Sequence, residues 1–391
     1  MASTRRGRRL LIIALQILIP YALVEAVVTA RAWWTRSDAS YFLLEDTGRT
    51  FFFDPIRGYR LGITQARCAL YVRGQWEYFG TFRGNAQGFP YRGDFGPARP
   101  NAATRRFAVF GDSFTHAPFL SQSWPERVED RFRDKGESVA LLNFGQWGAG
   151  LANWWSIITK ILDREKYELD GVIFAVYESD LRRRFTVFTF PETHGPHQPP
   201  LFGRWKSWDP QSLPKTAEEA HAIDDEGGGY RMLDYDEFER AIQGAWPAGV
   251  ERPFEPILYS NVKRYFQTPK EKTLAPTEEW HGFDSDRTPL IADIRRYLHE
   301  HNLPALVVNL PYKDDLLAAK RPPSLHLEEA RQFAQGIGAT FVDAGDDFTS
   351  QGPEETRTLF LPHDLHWNQK GSNRFAEIVM AHLPGASARS P

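Results

Sequence analysis

The chain has 391 residues, 42% hydrophobic and 25% charged, a composition that supports a packed core and excludes global disorder. Its 47 basic and 50 acidic residues leave a net charge of −3, which excludes the basic footprint of a nucleic-acid binder. Cys68 is the only cysteine, so neither an intrachain disulfide framework nor a thiolate zinc cluster is available; no metal and no cofactor is expected.

The first segment, "RRGRRLLIIALQILIPYALVEAVVTARAWWTR", places four Arg before Leu10 and then runs apolar to about Ala30, interrupted by Gln16, Pro20 and Glu25. At about 1.5 Å per residue this run spans roughly 30 Å, the thickness of a bilayer core. The leading Arg residues orient the N-terminus inward, and Trp33 and Trp34 fall where interfacial aromatics are expected. The run is long for a secretory signal, which favours an uncleaved signal anchor over 1–36. A cleaved signal peptide with "VTA" before Arg31 and a buried soluble helix are the alternatives. The anchor predicts an inner-membrane protein with a cytoplasmic N-terminus, a lipid bilayer partner and a periplasmic body.

Residues 37–104 mix short aromatic-rich runs ("TFFFDP", "CALYVRG", "WEYFGTF") with Gly and Pro and read as a β-rich lead-in. From Arg105 a βα rhythm follows. "RFAVFGDS" is a strand, and "SWPERVEDRF" a helix opened by Ser123 and Glu126 as a capping box. "ESVALLNFG" is a strand, "LANWWSIITKIL" a helix, and "LDGVIFAVY" a strand apolar at nearly every position, as a parallel strand covered on both faces should be. Residues 182–287 are rich in turn formers and read as an insertion, too rich to continue the sheet. The rhythm resumes with "PLIADIRRYLHEH", "PALVVNLP", "LHLEEARQFAQGIG", "ATFVDA" and the helix "NQKGSNRFAEIVMAHL", leaving 385–391 as a tail. Strands separated by helices predict an α/β fold, a doubly wound parallel sheet in three α/β/α layers spanning 105–384.

Ser113 follows the first of these strands, where loops at the carboxyl ends of parallel strands gather ligands. Phe114 and Thr115 come next, so the Gly-x-Ser-x-Gly elbow is absent and an ordinary α/β-hydrolase is disfavoured. A nucleophilic serine needs a base and the base an orienting carboxylate. "LPHDLHWNQKG" supplies both, with Asp364 and His366 two apart just before the last helix. Asp112 reads as a brace for the turn, and His116 as a loop or pocket residue. His194 and His197 lack a carboxylate at ligand spacing. Trp205 and Trp208 suit either stacking on a sugar ring or anchoring of the insertion.

"FGDSFT" with "DLHWN" some 250 residues later resembles the SGNH hydrolases, also called the GDSL esterase family. The resemblance covers about Arg105 to His382 apart from the insertion, and "NAQGFPYRG" upstream is similar to a lead-in common in bacterial members. It implies Ser113 as nucleophile, His366 as base and Asp364 as its partner. It also implies an oxyanion hole from Ser113, Gly148 in "NFGQWGAG" and a third position. That third position departs from Gly-x-Asn-Asp: the stretch is "YESD", with Tyr177 for the Gly and Ser179 for the Asn. Ser179 through a water, or Gln146, would have to supply the missing donor. The fourth block is Asp-x-His instead of Asp-x-x-His, a variant associated with polysaccharide-acting and membrane-anchored relatives. The implied activity is that of a serine esterase on ester bonds, acting on an O-acylated carbohydrate outside the cytoplasm. An O-acetyltransferase of an exported polysaccharide is the alternative, and a carbohydrate-binding protein that lost catalysis is another.

Overall fold

The computed structural model describes residues 15–30, 40–45, 47–48, 50–72, 75–177, 179–190, 201–225, 230–244, 282–310, 312–318 and 324–384. Five parallel strands, β6 (Arg105–Phe110), β7 (Val139–Asn143), β8 (Gly171–Tyr177), β13 (Ala305–Leu310) and β14 (Thr340–Asp343), form the central sheet in the order β14-β13-β8-β6-β7. The doubly wound expectation holds. Every residue of β8 and β13 is buried, because both faces of the sheet are covered. Alternate side chains feed two cores: Phe110, Phe174 and Val307 on one face, Phe107, Ile173 and Leu306 on the other. Trp154, Ile294 and Phe333 close the first core from three helices, and Trp124, Val128 and Phe375 close the second from two. The capping box read from the sequence opens Trp124–Asp134, where the Glu126 carboxylate accepts the Ser123 N–H at 3.0 Å.

The lead-in is β-rich, with β1 (Ser40–Glu45), β2 (Phe51–Asp54), β3 (Gly58–Leu61), β4 (Ala66–Val72) and β5 (Gln75–Phe82). β2 and β3 pair as a hairpin, while β1, β4 and β5 form a meander. The insertion carries more sheet than its turn-rich composition suggested. β9 (Thr186–Thr189), β10 (Leu201–Arg204) and β11 (Asp224–Asp225) make a three-stranded sheet, and β12 (Tyr230–Leu233) pairs in parallel with β1 of the lead-in. Lead-in and insertion also share a core, in which Phe51, Tyr59 and Phe82 meet Phe188, Phe202 and Met232 around Trp147.

The helix over 15–30 exposes its apolar side chains, Ile17 at 65% and Val27 at 67%. No helix among the described residues is long and apolar enough to cross a membrane. The expected span begins at Leu10, and its first residues, with the four Arg, Trp33 and Trp34, lie outside the described ones.

Candidate active site

β6 and β8 are neighbours in space, and the chain leaves them toward opposite sides of the sheet, β7 lying beyond β6 and β13 beyond β8. This is the topological switch point, where the diverging loops open a crevice at the carboxyl ends of the strands. Ser113 stands there, on the first residue of the short helix Ser113–His116. Asp112 caps that helix, its Oδ1 accepting the Phe114 N–H at 3.0 Å.

The structure brings the three sequence-predicted side chains into series. Ser113 Oγ lies 2.7 Å from His366 Nε2, and His366 Nδ1 lies 2.7 Å from Asp364 Oδ2. One short loop presents both partners of the serine. Its base is pinched by the Leu361 N–H donating to the His366 carbonyl at 2.9 Å. Asn368 then caps the last helix, Oδ1 accepting from Lys370 and Gly371, while its Nδ2 donates to the Thr358 and Phe360 carbonyls. The histidine ring lies between Phe114 and Phe119, with centroids at 4.7 and 4.6 Å. Burial works against charge on Asp364, yet the adjoining His366, the Leu365 N–H and Lys313 together hold its carboxyl below the usual range.

Behind the serine is a charge cluster that sequence reasoning missed. Arg183 Nη1 donates to Asp112 Oδ2 at 2.9 Å, to Asp180 Oδ1 at 2.5 Å and to the Ala149 carbonyl at 3.2 Å. Asp180 Oδ2 accepts the Tyr177 N–H at 2.9 Å, tying the end of β8 to the same cluster. Burial first, then the neighbouring Asp112, pushes the Asp180 carboxyl well up, and Arg183 pulls it back. For Arg183 burial opposes the charge, but Asp180 and Asp112 push its proton affinity up. "YESDLRRR" therefore braces the nucleophile's turn through Asp180 and Arg183. An Asp and an Arg three apart after a strand end are the only local trace of this.

Gly148 adopts φ +65°, a left-handed conformation that favours glycine, and a Cβ there would come within 2.7 Å of the Phe202 ring. Its carbonyl accepts from Thr186 Oγ1 at 2.7 Å, which in turn accepts from Arg204 Nη1 at 2.6 Å. Trp147, just before it, is held among Phe42, Phe51, Phe82 and His116, all with centroids within 5.6 Å. The glycine is thus set by the lead-in and the insertion together.

The fold also places the other candidate residues. Gln146 is no donor to the serine's substrate: it is buried, and its Nε2 donates to the Tyr59 carbonyl at 2.7 Å. Ser179 is half-buried at the turn after β8, its carbonyl accepting the Arg182 N–H. Trp205 is 4% exposed within the main core, its Nε1 directed at Ser212 Oγ, which is the anchoring alternative, while Trp208 is half-buried against the same core. Asp112 braces the turn as expected. His116 is buried against Trp147 and Phe82, and burial pushes it down to about 3, while the nitrogen paired with Ser113 Oγ is that of His366. His194 and His197 lie outside the described residues, and among the described ones no cluster of metal-ligand side chains occurs.

A hydrogen-bonded serine, histidine and aspartate at the switch point of a doubly wound parallel sheet define a hydrolase-type α/β domain with a built nucleophile. Residues 270–390, which include Asp364 and His366 but not Ser113, match the family described as "SGNH hydrolase-like domain, acetyltransferase AlgX". No curated protein matches it in sequence. Among solved structures, a lipase/acylhydrolase from Enterococcus faecalis aligns at 13% identity and a TM-score of 0.36, over 72% of this chain and 96% of its own. An acetyl xylan esterase, AlAXEase, aligns at 12% and 0.36, over 71% of this chain and 99% of its own. A two-domain esterase active on acetylated mannans aligns at 12% and 0.35, over 73% of this chain and 50% of its own.

Proposed function

We propose that the protein is a serine esterase that removes acyl groups from an O-acylated carbohydrate. The observation that carries this is the continuous series Ser113 Oγ, His366 Nε2, His366 Nδ1, Asp364 Oδ2, with 2.7 Å at both contacts. His366 Nε2 takes the Ser113 proton as Oγ attacks the ester carbonyl, and the imidazolium then returns that proton to the departing sugar oxygen. Asp364 stabilises the imidazolium without taking its proton. The backbone N–H groups of Ser113 and Gly148 hold the developing oxyanion, and Ser179 is the candidate third donor through a water. The acyl-enzyme is released by water, whose proton passes to His366 and whose hydroxyl joins the acyl carbon.

An O-acetyltransferase is the second reading. It is favoured by the two phenylalanine rings that flank His366, which limit the approach of water, and by the acetyltransferase description of the matching family. In that case a sugar hydroxyl replaces water in the second half-reaction. We further propose that the exposed apolar helix and the arginines preceding it anchor the chain in an inner membrane, with the catalytic body on the periplasmic side.

The test is hydrolysis of a small activated acetyl ester by the full chain beside Ser113→Ala, with and without an added oligosaccharide acceptor. A fall of about 10³-fold or more in the variant supports the nucleophile. Turnover that rises with acceptor, with acetylated sugar as product, selects the transferase. Equal rates for wild type and Ser113→Ala would overturn the reading, and so would equal inertness without trapping of an acyl-enzyme.

A further inference from the structure

The loop that carries Asp364 and His366 is gripped by two ionised side chains from outside it. Lys313, at the start of the helix Lys313–Leu317, directs Nζ at three carbonyls of the loop, Leu361 at 2.5 Å, Pro362 at 3.0 Å and Asp364 at 3.0 Å. Glu77 reaches it from β5 of the lead-in. Its Oε1 accepts the N–H groups of His363 at 2.5 Å and Asp364 at 3.1 Å, and its Oε2 lies 3.1 Å from His363 Nδ1. The Glu77 side chain is 1% exposed. At the Pro362–His363 peptide the two hold opposite ends of one dipole, the ammonium taking the Pro362 carbonyl and the carboxylate the His363 N–H.

We propose that Lys313 and Glu77 are positioning residues for the Asp364–His366 pair, which makes the β-rich lead-in an obligatory part of the active site. This rests on the nucleophilic reading of Ser113. One residue separates Asp364 from His366, and Asp364 Oδ1 is already tied to the Leu365 N–H at 2.7 Å, so neither side chain can correct for a tilt of the backbone. A misplacement of about 1 Å in such a site can cost about 10²-fold in rate. The two residues come from elements far from the loop in sequence, which is why no local motif announces them.

The experiment uses the full chain as wild type, Ser113→Ala, Lys313→Met, Lys313→Ala and Glu77→Gln. It measures kcat and KM on a small activated acetyl ester, thermal unfolding, and the downfield proton resonance of a histidine Nδ1–H held by a carboxylate. The expected result for Lys313→Met and Glu77→Gln is a kcat lowered about 10- to 100-fold with KM within about twofold, in a protein that remains folded. Propylammonium should restore part of the rate to Lys313→Ala, while potassium at the same ionic strength should not. The inference is overturned if both variants keep wild-type kcat, or lose activity only in step with their unfolded fraction. If wild type itself does not turn over and labels no better than Ser113→Ala with a fluorophosphonate, the nucleophilic reading fails. The resonance then decides the clamp alone: its persistence unchanged in both variants overturns it, and its loss supports it.

Discussion

Replacing Arg183 by Met tests the charge cluster beneath the nucleophile. The side chains of Asp112 and Asp180 are 2% and 0% exposed, and Arg183 is 16% exposed, so the substitution strands two carboxylates where water cannot solvate them. Breaking a buried pair by removing one partner costs about 3–5 kcal/mol. For a chain of this size that is a drop of roughly 4–6 °C in Tm. The pH dependence fixes the cause. The Asp180 carboxyl already lies above its unfolded value, and losing the guanidinium moves it further up. A group raised in the folded state stabilises only below its unfolded value, about 3.9, and that contribution is lost as pH rises. The deficit of the variant relative to wild type should therefore be largest at pH 7 and shrink toward pH 4.5. Urea unfolding followed by far-UV circular dichroism at both pH values measures it, and Arg183→Met with Asp112→Asn and Asp180→Asn should recover part of the loss. A deficit under about 1 kcal/mol, or one equal at both pH values, would refute the reasoning.

Gly148→Ala should lower kcat by about 10²-fold or more, because an L-residue resists φ +65° and its Cβ would push against Phe202, moving the proposed oxyanion donor; steady-state kinetics beside Tm reads this, and an unchanged kcat would remove Gly148 from the proposed hole. Trp205→Ala should cost about 3–5 kcal/mol in stability, the price of emptying a core site. Trp205→Phe should then lower Tm while leaving KM for an acetylated oligosaccharide unchanged, which titration against that substrate would check.

The sequence announced the parts whose physics is local. Ser113 was legible because an apolar strand ends at Gly111 and a helix starts at once, and Asp364 with His366 because a single loop holds both. The βα order was legible for the same reason: each buried strand is an uninterrupted apolar run, and Ser123 and Glu126 satisfy a helix end within one turn. What escaped depends on contacts between distant segments. Glu77 reads as an ordinary charge on an alternating strand until the loop at 363–364 is laid over it. Trp205 suited either a sugar platform or an anchor, because a tryptophan in a turn-rich stretch carries no mark of which core it enters. Arg183 sits in a run of three arginines, and nothing in that run distinguishes the one that turns inward.

The parallel pairing of β1 with β12 sets an order of assembly. Phe42 finds its neighbour only at Tyr230, after the chain of β6, β7 and β8 has already been synthesised. A contact of such sequence separation is slow to form, since the loop it closes must be ordered before the pairing compensates for it. During synthesis β1 therefore waits with one edge open beside β4, and the sheet that supports Trp147 and Glu77 is completed late. The triad's surroundings then become competent only once nearly the whole polypeptide has emerged, so that truncated or stalled chains would carry Ser113 without the apparatus that activates it.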